Sequence, residues 1–80
     1  MKKSPHKDRP HVNLGLAYLN DRLYDDSLLE FEKALSVNPN NIEAMNNMGI
    51  VYSYIGKYQK AEEAFTESIA LERKNPNAYN

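Results

Sequence analysis

Two histidines, His6 and His11, stand five positions apart in a chain with no cysteine. Imidazole is the side chain best suited to proton transfer and metal ligation near neutral pH. A helical zinc pair needs histidines four apart with an acid beside them, and this spacing fails that test. Without cysteine there is no thiolate nucleophile, disulfide framework or thiolate metal knuckle. Ser27 and Ser68 lack a base at a matching position, as a serine nucleophile requires. Gly15, Gly49 and Gly56 are too scattered to form a phosphate loop. Glu30, Lys33, Lys57, Lys60, Glu62, Glu63 and Glu67 read as the solvated outer face of helices. These residues predict no catalysis, no cofactor and no metal.

Eighty residues, 26% charged and 41% hydrophobic, describe one small folded domain. Ten Lys and Arg against eleven Asp and Glu give a net charge of -1. That is too little positive charge to neutralise phosphates, so no nucleic acid partner is expected. No apolar run approaches the ~18 residues that cross a bilayer. Met1-Lys2-Lys3 leads into Ser4-Pro5-His6-Lys7-Asp8 with no apolar stretch behind the charges. The expectation is a cytoplasmic chain with no direct membrane insertion. Ten Asn, six Tyr, no Trp and only three Gly favour helices joined by short connections.

A shift of 34 residues brings the chain into register with itself. Asn13 meets Asn47, Gly15 meets Gly49, Tyr18 meets Tyr52, Tyr24 meets Tyr58 and Phe31 meets Phe65. Leu14 meets Met48, Leu16 meets Ile50, Ser27 meets Ala61 and Leu35 meets Ile69. The shift divides the chain into a tail (1–7), two repeats (8–41 and 42–75) and the start of a third (76–80).

Each repeat reads as two helices. His11, Leu14, Gly15 and Tyr18 mark one face of the first, which Asp21-Arg22 interrupts. A second helix follows from Asp25 to Asn38, with Leu28, Phe31, Ala34 and Leu35 inward and Pro39 as its stop. Asn40 and Asn41 form the turn and cap the next helix. Met45, Met48, Gly49 and Tyr52 repeat the first face. Gly56 is the left-handed C-cap, and Ala61, Phe65, Ser68 and Ile69 line the last helix. Arg73 stands where the first repeat has Pro39, so this helix is expected to run longer.

The spacing His11…Leu14-Gly15…Tyr18…Ser27…Phe31…Ala34…Pro39, repeated as Met45…Met48-Gly49…Tyr52…Ala61…Phe65…Ser68, resembles the tetratricopeptide repeat family. The resemblance implies an all-α fold, a fragment of a right-handed superhelical solenoid of helix-turn-helix repeats. It also implies a non-catalytic protein-interaction module, whose groove is lined by the first helix of each repeat. Carried over, that face comprises Arg9, Val12, Asn13, Leu16, Leu19 and Asn20, then Glu43, Asn46, Asn47, Ile50, Ser53 and Tyr54. The family's preferred glycine at the first hairpin turn is Arg22 here, which a left-handed backbone would strain.

The residue types support that face on their own. Amides alternate with Leu16, Ile50 and Tyr54, more apolar groups than a solvated face needs. An Asn side chain offers both a donor and an acceptor. Asn13 and Asn47 at equivalent positions suit the backbone of an extended peptide, in the manner of an asparagine ladder. Asn13, Leu16, Asn20, Asn46, Asn47, Ile50 and Tyr54 are therefore the candidate peptide-binding residues. The plainer alternative is that Asn13 and Asn47 bond within the repeat and Tyr54 covers a neighbouring helix.

The clamp of chaperone-binding relatives, which holds a terminal carboxylate, is not reproduced. Its lysine positions hold Val12 and Asn77, one of its Asn positions holds Leu16, and only Asn47 matches. A second resemblance lies in residues 1–13, similar to the segment leading into repeat arrays of some bacterial membrane glycosyltransferase-like proteins. It would imply an accessory region in the periplasm. A spacer or self-assembly role is the further alternative. Roughly three repeats are needed for a continuous core, so the chain reads as an excerpt of a longer array that forms homo-oligomers through exposed repeat ends.

Overall fold

The structure, a computed structural model, describes residues 9–74. The expected tail at 1–7 and third-repeat start at 76–80 lie outside the described residues. Four helices follow in order: α1 (Arg9–Asn20), α2 (Tyr24–Val37), α3 (Ile42–Tyr54) and α4 (Tyr58–Lys74). Among the described residues there is no strand.

The helix ends follow local chemistry. After α1, Arg22 adopts a φ of 64°. The Leu23 N–H then reaches back to the Tyr18 carbonyl at 2.8 Å, and the Arg22 N–H to Leu19 at 3.0 Å. This paired closure satisfies carbonyls that the helix end would otherwise leave open. Gly56, with φ 83°, makes the same closure after α3. Asp25 and Asp26 occupy the first turn of α2, where the helix dipole favours acids. That helix begins at Tyr24 and ends at Val37, one residue before the expected span at each end. Asn41 caps α3, its Oδ1 accepting the Ala44 N–H at 2.9 Å. With Arg73 in place of the proline that follows α2, α4 runs to 17 residues against 14 for α2.

The helices pair as two antiparallel hairpins, α1 with α2 and α3 with α4, and α3 packs onto α2. Val12, Phe31, Ala34, Ala44 and Val51 are buried at the seam, flanked by Leu16, Leu19, Leu28, Leu35 and Met48. Each hairpin closes around one glycine. A Cβ on Gly49 would stand 2.7 Å from Phe65 Cε1, closer than side chains approach one another, and Gly15 meets Phe31 likewise. The Ser27 hydroxyl donates to the Gly15 carbonyl at 2.8 Å across the first hairpin.

Four expectations need correction. Val12, placed on the groove face, is buried, and Leu14, placed on the inner face, is 43% exposed. The inner stripe of α1 is Val12, Gly15, Leu16 and Leu19, at i, i+3, i+4 and i+7. His11, Leu14 and Tyr18 lie on the flank whose counterparts Met45, Met48 and Tyr52 share a groove with Leu35 of α2. Ile69 is 53% exposed because, among the described residues, no further helix packs on α4 as α3 packs on α2, where its counterpart Leu35 lies. Glu30, read as part of a solvated face, is only 7% exposed. Its Oε1 lies 3.0 Å from His11 Nδ1, and Lys33 Nζ reaches its Oε2 at 3.3 Å.

Candidate functional site

Positions three and seven apart share one side of a helix. Asn13, Leu16 and Asn20 stand so on α1, and Asn47, Ile50 and Tyr54 stand so on α3. The two helices also touch each other, though each packs mainly against its own hairpin partner, α2 or α4. At one end Arg9 Nη1 and Glu43 Oε1 approach to 3.7 Å, joining equivalent positions of the two repeats. Both side chains are exposed, so water and salt leave the pair about 0–1 kcal/mol. At the other end an open depression of about 440 Å³ is lined by Leu19, Asn20, Arg22, Tyr24, Ile50 and Tyr54. Its floor includes a ring pair. Tyr24 and Tyr54 stack with centroids 5.7 Å apart and planes at 20°.

The candidate residues divide by environment. Asn13 and Asn20 are exposed, Asn47 and Leu16 are half-buried, and Ile50 and Tyr54 are exposed. Tyr54 keeps 64% of its surface despite the stacking. Asn46 is turned differently. Its Oδ1 lies 3.1 Å from the Ser68 hydroxyl, which also lies 2.8 Å from the Phe65 carbonyl. One hydroxyl proton serves one acceptor at a time, but either way Asn46 looks toward α4. Its counterpart Val12 likewise packs within its own hairpin. Ser53, also on the inferred face, donates to the Gly49 carbonyl at 3.1 Å. Arg22 and Tyr24, which line the depression, were not among the residues expected on this face. The departure of Arg22 from glycine, beside a repeated tyrosine, was the signal available.

Two titratable groups are perturbed. The Glu30 carboxyl is held below its ordinary value, chiefly by the hydrogen bond with His11, against the opposing effect of burial. Lys33 adds to the lowering. The Tyr52 hydroxyl is pushed up by burial and then by Glu32 and Glu63. Among the described residues no cluster of three or more His, Cys, Asp or Glu could hold a metal. The His11–Glu30–Lys33 group lies between α1 and α2 and ties one helix to the other.

A sequence profile described as tetratricopeptide repeat matches residues 8–74. The chain belongs to the tetratricopeptide repeat family. Repeats of this family are in general modules of protein–protein interaction. Similar curated proteins include "BBSome complex member BBS4 homolog" of Drosophila melanogaster, 29% identical over 90% of this chain and 15% of that protein. "Protein CTR9 homolog" of Arabidopsis thaliana is 30% identical over 88% of this chain and 6% of its own length. "Protein O-mannosyl-transferase Tmtc3" of Drosophila melanogaster is 30% identical over 74% of this chain and 6% of its own. The tetratricopeptide chain thus spans a small fraction of each of these relatives. Among its described residues no helix is long and apolar enough to cross a membrane.

Proposed function

We propose that this tetratricopeptide chain is a non-catalytic binding module that holds an extended segment of a protein partner against α1 and α3. The observation that carries the reading is the common face itself. Asn20 lines one depression with exposed Ile50 and Tyr54, and Asn13 and Asn47 hold equivalent positions of the two repeats. Amides can bond a peptide backbone without reading its sequence, and the apolar groups supply side-chain pockets. The family's general role supports the same reading.

The test replaces Asn13, Asn47 and Tyr54 with alanine together. A pull-down from cells expressing the full parent protein identifies the partner, and circular dichroism follows the helices. Loss of the partner with helicity retained is the expected result. Retention of every interaction would leave a spacer or self-assembly role in its place.

The similarity to an O-mannosyl-transferase favours one second reading. In it the repeats form an accessory region of a membrane glycosyltransferase-like protein. Sequencing the gene upstream of residue 1 decides this, since such a protein would carry membrane spans there.

A further inference from the structure

Arg22 and Gly56 occupy the same position in the two repeats, and both backbones are left-handed, with φ 64° and 83°. Glycine adopts this conformation freely, whereas an L residue with a Cβ is strained there. The first hairpin therefore holds an arginine where the second shows that glycine makes the same closure without strain. Strained backbone of this kind clusters at binding and active sites. The side chain in question lines the 440 Å³ depression with Asn20, Leu19, Ile50 and the stacked Tyr24 and Tyr54. Arg22 is exposed and is the one charged residue lining that depression. Asp21, Asp25 and Asp26 flank the turn, but none of them lines it.

We infer that this depression takes an acidic side chain, Asp or Glu, of the bound segment, paired with the Arg22 guanidinium beside the Tyr54 ring. This rests on the peptide-binding reading and adds to it the chemistry of one ligand position. The guanidinium presents a planar fork of N–H donors that matches a carboxylate. Asn20 stands next to it with a further amide donor. Leu19, Ile50 and Tyr54 then favour an apolar residue beside the acid. The arrangement differs from a terminal-carboxylate clamp, because the positive charge comes from the hairpin turn and not from the first helices.

A positional-scanning library of short synthetic peptides tests it. Each position is fixed in turn as Asp, Glu, Asn, Gln, Lys or Leu, and the chain is compared with its Arg22→Gly and Arg22→Gln variants. The expected result is selection of Asp or Glu at one position, with that preference reduced about three- to tenfold in both variants. Salt should erase the same preference. Because Gly relieves the left-handed backbone but loses part of that gain to its larger unfolded-chain entropy, Arg22→Gly should raise the melting temperature by roughly 2–8 °C while it weakens acidic peptides. A more stable protein with weaker binding separates this role from a structural one. Selection of Lys or of no charge, or an unchanged acid preference in both variants, overturns the inference and leaves the groove reading standing. No binding to any peptide overturns both.

Discussion

Gly15 and Phe31 meet so closely that a Cβ on the glycine would stand 2.6 Å from the ring Cε1. The missing side chain is what lets α1 lie against α2, and Phe31 fills the space completely. Gly49 and Phe65 repeat the relationship 34 residues later. Phe31, fully buried, has little room to retreat, and half-buried Phe65 has somewhat more.

Gly15→Ala and Gly49→Ala should therefore each destabilise the fold by about 1–3 kcal/mol. Thermal unfolding followed by circular dichroism checks this. At about 4–8 °C per kcal/mol for a chain of this size, the change is easily read. Phe31→Leu combined with Gly15→Ala should recover part of the loss, because the smaller side chain frees space for the new methyl.

The buried Glu30 carboxylate makes stability depend on pH with a defined sign. Its value in the folded chain lies below the ordinary 4.5 because His11 and Lys33 favour the ionised form. Its contribution is complete above pH 4.5 and is lost as pH falls through the lower, folded value. Melting temperatures measured downward from neutrality should fall more steeply below that point in the native chain than in Glu30→Gln. Equal slopes for the two proteins would show that Glu30 ionisation adds nothing to the fold.

Asn41→Ala removes the acceptor for the Ala44 N–H at the start of α3. The expected cost is about 1 kcal/mol. Asn41→Asp should retain the cap and most of the stability. Urea unfolding midpoints with an unchanged slope would place the effect in stability and not in compactness.

Tyr24→Ala should lower stability by removing a half-buried ring from the seam between hairpins, and it should also free Tyr54 from its stacking partner. Aromatic pairs contribute about 0.5–1.5 kcal/mol beyond their buried area. A double-mutant cycle with Tyr54→Ala measures that coupling. Additive losses would mean that the rings merely lie near each other.

Much of this fold was legible because the sequence states it twice. The recurrence of Gly15, Tyr18 and Phe31 as Gly49, Tyr52 and Phe65 located both hairpins. Pro39, Asn41 and Gly56 marked the turns with residues whose backbone and capping preferences are strong. Rotation about the helix axis was harder to read. Val12 and Leu14 are both apolar, and periodicity over a 12-residue helix admitted either as the inner residue. The packing of α1 against α2 and α3 decides between them, and that is a tertiary fact. Glu30 was hidden for a related reason. Its charge and i,i+3 partner Lys33 are those of an exposed helix face, while His11, 19 residues away, supplies the burial partner. On the groove, helical spacing brought Asn13, Leu16, Asn20, Asn47, Ile50 and Tyr54 onto one side. Arg22 and Tyr24 join them only through the hairpin closure, which linear spacing does not encode.

The hydrogen-bonded pair of Asn46 and Ser68 stands where the first hairpin has the aliphatic pair Val12 and Ala34. Ser68 is buried, so its hydroxyl is answered inside the hairpin, by Asn46 or by the Phe65 carbonyl. The two copies therefore shut by different means at matching positions, one by oil-like contact and the other by a directional polar bond. A change that is harmless at Ala34 need not be harmless at Ser68, because removing that hydroxyl would strand the amide oxygen it serves.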